Sequence, residues 1–333
     1  MVRGLKIIGL FFVLIFLVLI AFGLFLKSGY KSQPAPGRLV DVGGFNLHIH
    51  CTGQESGYPP VILENGLGMA SFMYHWIQND LSKITKVCSY DRPGIVWSEP
   101  SGKINDGENI SGYLHTLLKA IDIEKPFVLV GHSAAGLLMR VYEKNYPDEV
   151  AGIAFLDASH PEQKERLGLH EDELKLSGWL VNIYKLYSAL GLNYIYNPVF
   201  QGDPPDAHFP PQIMRYFEEF TNSPYLPDGL WAEVNGFDPS LLQAGTTGSL
   251  GNKPILVIAA QKKPEQNEIP EYITPEKLMA NSLVLQKEIA ALSTDNTFIC
   301  MDKADHNSLI FSNVRLGFCM KKNDGKMKIS LDK

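Results

Sequence analysis

Cysteine is scarce in this chain: Cys51, Cys88, Cys300 and Cys319 are the four among 333 residues. No two stand in a CxxC spacing, which argues against a thiolate metal site, and so few cannot build a disulfide scaffold. Cys51, Cys88 and Cys300 lie in apolar, strand-like runs and read as small buried hydrophobes, with pairing left open by the even count. A surplus of positive charge is also missing. Lys and Arg number 30 against 36 Asp and Glu, a net charge of -6. Four of those bases (Arg3, Lys6, Lys27, Lys31) fall in the first 31 residues, which hold no acid; the remainder sets 26 bases against 36 acids. Recognition of a phosphate backbone needs a basic footprint, so nucleic acid is excluded as the main partner. Internal repeats and low-complexity tracts are absent too. What is present, 45% hydrophobic and 20% charged residues, suits a folded protein with a large core, in one large domain or two small ones.

The first feature is an uncharged apolar run from Ile7 to Leu26. At 1.5 Å per residue, about 20 residues cross a hydrocarbon core of about 30 Å. The expectation is a single-pass transmembrane anchor over residues 1–37. Ala21-Phe22-Gly23 offers only a weak cleavage site, and the run is long for a signal peptide. Flanking charge is nearly balanced, so the positive-inside rule assigns no side. Residues 28–37, rich in Gly, Ser and Pro, read as a short linker.

From Arg38 onward strand-like and helix-like segments alternate. Leu39 to Val42 and Asn46 to Cys51 flank Gly43-Gly44, a hairpin signal. Short apolar runs follow at Val61 to Leu63, Lys86 to Tyr90, Phe127 to Val130, Val150 to Leu156, Ile255 to Ala259 and Thr297 to Met301. Helical patterns lie at 106–122, 134–145 and 275–292. This rhythm predicts an α/β protein with a mostly parallel sheet covered on both faces. Residues 161–250 break it, with helical stretches (171–190 and 212–220), the turns Asp203-Pro204-Pro205 and Phe209-Pro210-Pro211, and many aromatics, among them Trp179, Tyr184, Tyr196 and Trp231. They read as a helical cap inserted into a core of 38–160 and 251–333.

The chemistry concentrates in Val128-Leu129-Val130-Gly131-His132-Ser133-Ala134-Ala135-Gly136. An apolar strand enters Gly-His-Ser and a helix leaves it, the setting of a nucleophile elbow. A serine nucleophile needs a base, and His306 sits just beyond the last strand, where α/β sites collect. The imidazole needs an orienting carboxylate. Asp157, after the strand that follows the nucleophile helix, is the first choice, with Glu265 or Glu268 as alternatives; Asp305 is too near His306 in the chain to orient its ring easily. The backbone N–H groups of Ala134 and Leu67 are the expected oxyanion donors, Gly66 permitting the turn. His132 is assigned to packing. His48 and His50 alternate on a strand without a third ligand nearby, so no metal is expected.

Asn65-Gly66-Leu67-Gly68, Ser89-Tyr90-Asp91-Arg92-Pro93-Gly94, Gly131-His132-Ser133, Leu156-Asp157 and Asp305-His306 together resemble the α/β-hydrolase fold superfamily, over residues 38 to about 320. The resemblance implies the α/β-hydrolase fold, with an eight-stranded, mostly parallel sheet flanked by helices. It also implies an esterase- or lipase-like serine hydrolase using Ser133, Asp157 and His306, with no metal or organic cofactor. Ala135 stands where the family usually has Gly, Asn65 where it commonly has His, and Val96 where it often has Gly. The Asp91-Arg92-Pro93-Gly94 turn reads as structural. With the anchor and the aromatic insertion, an apolar or lipid-like ester is the expected substrate. A proline-releasing aminopeptidase, an acyltransferase and a non-catalytic, membrane-tethered binding module are the alternatives.

Overall fold

A computed structural model describes residues 2–168, 177–197, 209–269, 271–311, 318–323 and 326–331. The opening part of the helix expected over 171–190 and the Asp203-Pro204-Pro205 turn lie outside the described residues. The chain begins with helix α1 (Val2–Gly29), followed by strands β1 (Arg38–Asp41), β2 (Asn46–Thr52) and β3 (Val61–Glu64). Next come α2 (His75–Leu81), β4 (Val87–Tyr90), α3 (Gly107–Ala120), β5 (Phe127–His132), α4 (Ala135–Asn145) and β6 (Val150–Leu156). Four helices follow: α5 (Gln163–Leu167), α6 (Gly178–Ala189), α7 (Pro211–Asn222) and α8 (Leu226–Gly245). The chain then returns through β7 (Ile255–Ala260), α9 (Pro275–Ala290), β8 (Asn296–Met301) and α10 (Ser308–Phe311) to a separate antiparallel hairpin, β9 (Phe318–Asn323) and β10 (Lys326–Leu331).

Eight strands form one sheet in the order β1-β2-β4-β3-β5-β6-β7-β8. β1 and β2 pair antiparallel, as do β2 and β4; from β4 to β8 every pairing is parallel. The parallel strands are continuous apolar runs because both faces are covered. Side chains alternate between two cores, as a period of two demands. Leu63, Val128, Val130, Leu156 and Ile258 enter one, and Ile62, Leu129, Phe155 and Val257 the other. Local signals set the helix starts. The Asp106 carboxylate accepts the Asn109 N–H at 2.9 Å ahead of α3, and Thr274 accepts the Lys277 N–H at 3.3 Å ahead of α9. Strand order reverses direction about β3, with β4 on one side and β5 on the other, so a crevice opens at their carboxyl ends.

The structure resolves the pairing that the even cysteine count left open and departs from expectation at Cys300. Cys51 and Cys88 face each other across β2 and β4 and form a disulfide. Cys300 is exposed, because β8 is an edge strand that only β7 covers on one side. The residues after α1 are also more than a loose linker: the Glu219 carboxylate on α7 accepts from the Tyr30 hydroxyl at 2.8 Å, the Ser32 hydroxyl at 3.1 Å and the Gln33 N–H.

Candidate active site

β5 delivers Ser133 into the left-handed region, at φ +57°. A non-glycine residue there costs on the order of 1–3 kcal/mol and persists only where its surroundings over-determine it. Here the Ser133 N–H donates to the Leu156 carbonyl at 3.2 Å, and the Ser133 carbonyl accepts from Ser159 N–H at 2.8 Å and Gly136 N–H at 3.0 Å. Small neighbours permit the bend. A Cβ on Gly131 would lie 2.6 Å from the Ala135 Cβ, and one on Gly136 would lie 2.6 Å from the Ala158 Cβ. Ala135 itself is fully buried, so its extra methyl is accommodated opposite Gly131.

Asp157 stands at the end of the next strand, also left-handed at φ +43°, with its N–H donating to Ile258 O at 2.7 Å. One carboxylate oxygen accepts the Ala260 N–H at 3.1 Å, and the other lies 2.6 Å from His306 Nδ1. A carboxylate can only accept, so in the neutral ring Nδ1 carries the proton and Nε2 the free lone pair. The two alternative acids are engaged elsewhere. Glu265 and Glu268 cap each other around the 3₁₀ turn Gln266–Glu268. Asp305 accepts from the Ser308 N–H at 2.8 Å and pairs with Lys262 at 3.1 Å; burial opposes its charge, but these partners hold its carboxyl below the usual range.

His132 does more than pack. Its Nε2–H donates to the His306 carbonyl at 2.8 Å, and the two rings lie 4.3 Å apart. Burial, reinforced by the neighbouring His306, lowers its pKa to about 3. It therefore supports the loop bearing His306 without placing a cation beside it.

After β3, the turn 64–68 comes close to the elbow: a Cβ on Gly66 would lie 3.1 Å from His132 Nδ1 and 3.3 Å from the Ser133 Cβ. Among the described residues, neither the Leu67 nor the Ala134 N–H donates to a protein acceptor. The turn is held from beneath by a fully buried charge cluster. Arg92 donates to Glu64 at 2.7 Å, to the Asn65 and Gly66 carbonyls at 2.6 Å each, and to Glu233 of α8 at 2.7 and 2.5 Å. Glu233 also accepts the Gly68 N–H at 3.1 Å. Burial opposes the charge on Arg92, but Glu233 and Glu64 outweigh it and raise its pKa further; burial raises that of Glu64. Arg92 was legible only as a turn residue, since its partners lie far away in the chain. The pair His48–Asp91, 2.7 Å apart and fully buried, likewise belongs to the frame.

Asp157 and His306 line a cavity of about 490 Å³ whose apolar wall includes Leu167, Ile269, Leu278 and Met279. They also line an adjoining one of about 200 Å³, which Ser133 shares. Beside it, His160, Glu162 and Glu288 converge closely enough to ligate a metal ion. Arg166 already bridges both carboxylates, at 3.2 and 2.5 Å, so the group is balanced without one.

Residues 59–264 match the family model described as alpha/beta hydrolase fold. An uncharacterised protein of Schizosaccharomyces pombe is 29% identical over 209 residues, covering 54% of this chain and 38% of that protein. The chain therefore spans less than half the length of that relative. A thermophilic esterase from Thermogutta terrifontis superposes with a TM-score of 0.52 at 16% identity, over 85% of this chain and 95% of that one. A probable hydrolytic enzyme from Pseudomonas aeruginosa PAO1 does so with a TM-score of 0.57 at 15% identity, over 85% and 92%. At such identities the likeness is one of fold.

Proposed function

This chain belongs to the α/β-hydrolase fold family, and on that premise we propose that it is a membrane-anchored serine hydrolase of carboxylic esters. The observation that carries the reading is the sharing of one cavity by Ser133, in its left-handed bend, and His306, whose other ring nitrogen lies 2.6 Å from Asp157. In this mechanism His306 Nε2 takes the proton of the Ser133 hydroxyl as its oxygen attacks the ester carbonyl. The Leu67 and Ala134 N–H groups receive the oxyanion. His306 returns the proton to the departing alcohol, and water, activated by the same imidazole, then releases the acid. The larger cavity's apolar wall suits an acyl chain. Residues 161–250 act as the cap over a core of 38–160 and 251–333. α1, long and apolar enough to cross a membrane over Lys6–Gly29, is the single-pass anchor.

A fluorophosphonate probe tests the reading on the full chain. Labelling of the wild type that disappears in Ser133→Ala, together with turnover of a p-nitrophenyl ester series by the wild type alone, is the expected result. Folded wild-type protein that neither labels nor turns over any ester would leave a binding module instead.

A further inference from the structure

We infer that α6 is a second membrane contact, lying in the bilayer interface beside the anchor. Trp179, Ile183, Leu186 and Leu190 recur at the spacing of one helical face. The first three are 64%, 55% and 61% exposed. Val181, pointing the other way, is buried against the body, and Lys185 on the flank pairs with Asp228 of α8 at 2.5 Å. A monomeric soluble protein has little reason to hold so continuous an apolar stripe in water.

The occupant follows from what adjoins the stripe. Its carboxyl end runs straight into α1. Gly23, buried within the apolar span, touches Gly191 so closely that a Cβ on Gly23 would lie 2.7 Å from the Gly191 carbonyl oxygen. Lys27 donates to the Ser188 and Ala189 carbonyls at 3.3 Å each, a cation placed on the carboxyl end of α6. The Tyr30 and Tyr194 rings lie 5.4 Å apart. These contacts fix the depth. Gly23 is three residues short of Leu26, where the apolar run ends, so the crossing lies about 5 Å inside that end. An amphipathic helix in the interface buries its apolar face to about 5–10 Å. The bilayer that receives α1 therefore reaches the carboxyl end of the α6 stripe, and Trp179 at its other end is a residue type that favours the interfacial layer.

The inference rests on α1 spanning the membrane, and the test separates the two. Full-length protein with Cys300→Ser and Cys319→Ser is placed in phosphatidylcholine nanodiscs at one copy per disc. It carries an environment-sensitive fluorophore at one new cysteine: Leu17→Cys in α1, Ile183→Cys in α6, or Lys119→Cys at the exposed end of α3. Expected is aqueous iodide quenching several-fold weaker at 183 than at 119. Lipids carrying a nitroxide near the headgroup should quench 183 more than lipids carrying it deep in the chain, with the reverse order at 17. If 183 is as open to iodide as 119 while 17 is shielded, α6 does not touch the bilayer and the anchor stands. If 17 is open as well, both ideas fall. Shielding of 183 that requires two copies per disc would make a second chain the occupant and overturn the inference.

Discussion

At the residue scale, the site depends on two side chains held in backbone conformations that they would not choose. Ser133 and Asp157 are both left-handed at adjacent strand ends, each tied by its N–H to a neighbouring strand. Asp157→Asn keeps shape and volume but can donate to His306 Nδ1, stabilising the wrong tautomer. On the proposed mechanism, kcat for an ester falls about 10⁴-fold while the urea midpoint changes little; full activity would assign the role elsewhere. His132 makes a prediction about stability. Its folded pKa of about 3 lies below the ordinary 6.5. Between those values the unfolded chain binds a proton that the native state refuses. Its contribution is complete above about pH 6.5 and is lost as pH falls toward 3. Urea midpoints measured from pH 7 to pH 4 should fall, and the fall should be shallower in His132→Gln.

At the scale of elements, α8 joins the site to the core. Phe237 and Leu241 pack on Ala134, Leu137 and Val141 of the elbow and its helix, and Glu233 reaches Arg92. Arg92→Met would leave Glu64 and Glu233 buried without their cation, a loss of about 3–5 kcal/mol in urea unfolding. Glu233→Gln keeps one carboxylate against the guanidinium and should cost distinctly less. If Arg92→Met unfolds like the wild type, the cluster does not brace the turn. The parallel strands were legible from sequence because burial on both faces leaves unbroken apolar runs. The elbow was legible because its strand, serine and helix are contiguous. α8 was not: it carries Pro227, Gly229, Gly236 and Pro239, residue types of low helix propensity. The structure uses Pro227 in the first turn, sets Gly229 against Gly94 and Gly236 against Asn105, where a Cβ would collide, and carries Pro239 inside the helix. The Arg92 cluster was hidden for another reason: its acids stand 28 and 141 positions away, beyond any local pattern.

At the scale of the whole molecule, the Cys51–Cys88 disulfide supplies an orientation that the flanking charges do not. Disulfides persist in oxidising compartments and are rare where glutathione keeps thiols reduced. If α1 is the anchor proposed above, the body should therefore lie on the non-cytosolic side, with the residues before Ile7 in the cytosol. Protease added to sealed, cytosolic-side-out vesicles should spare the body, and maleimide should label residues 51 and 88 only after reduction; digestion of the body in intact vesicles would reverse the assignment. The grip of Glu219 on Tyr30, Ser32 and Gln33 then governs reach. A hydrolase on a slack tether sweeps a hemisphere and samples whatever drifts past. On the proposed function, one bolted along its stem would keep a single height and tilt, which favours molecules travelling in its own leaflet over cargo on a passing vesicle.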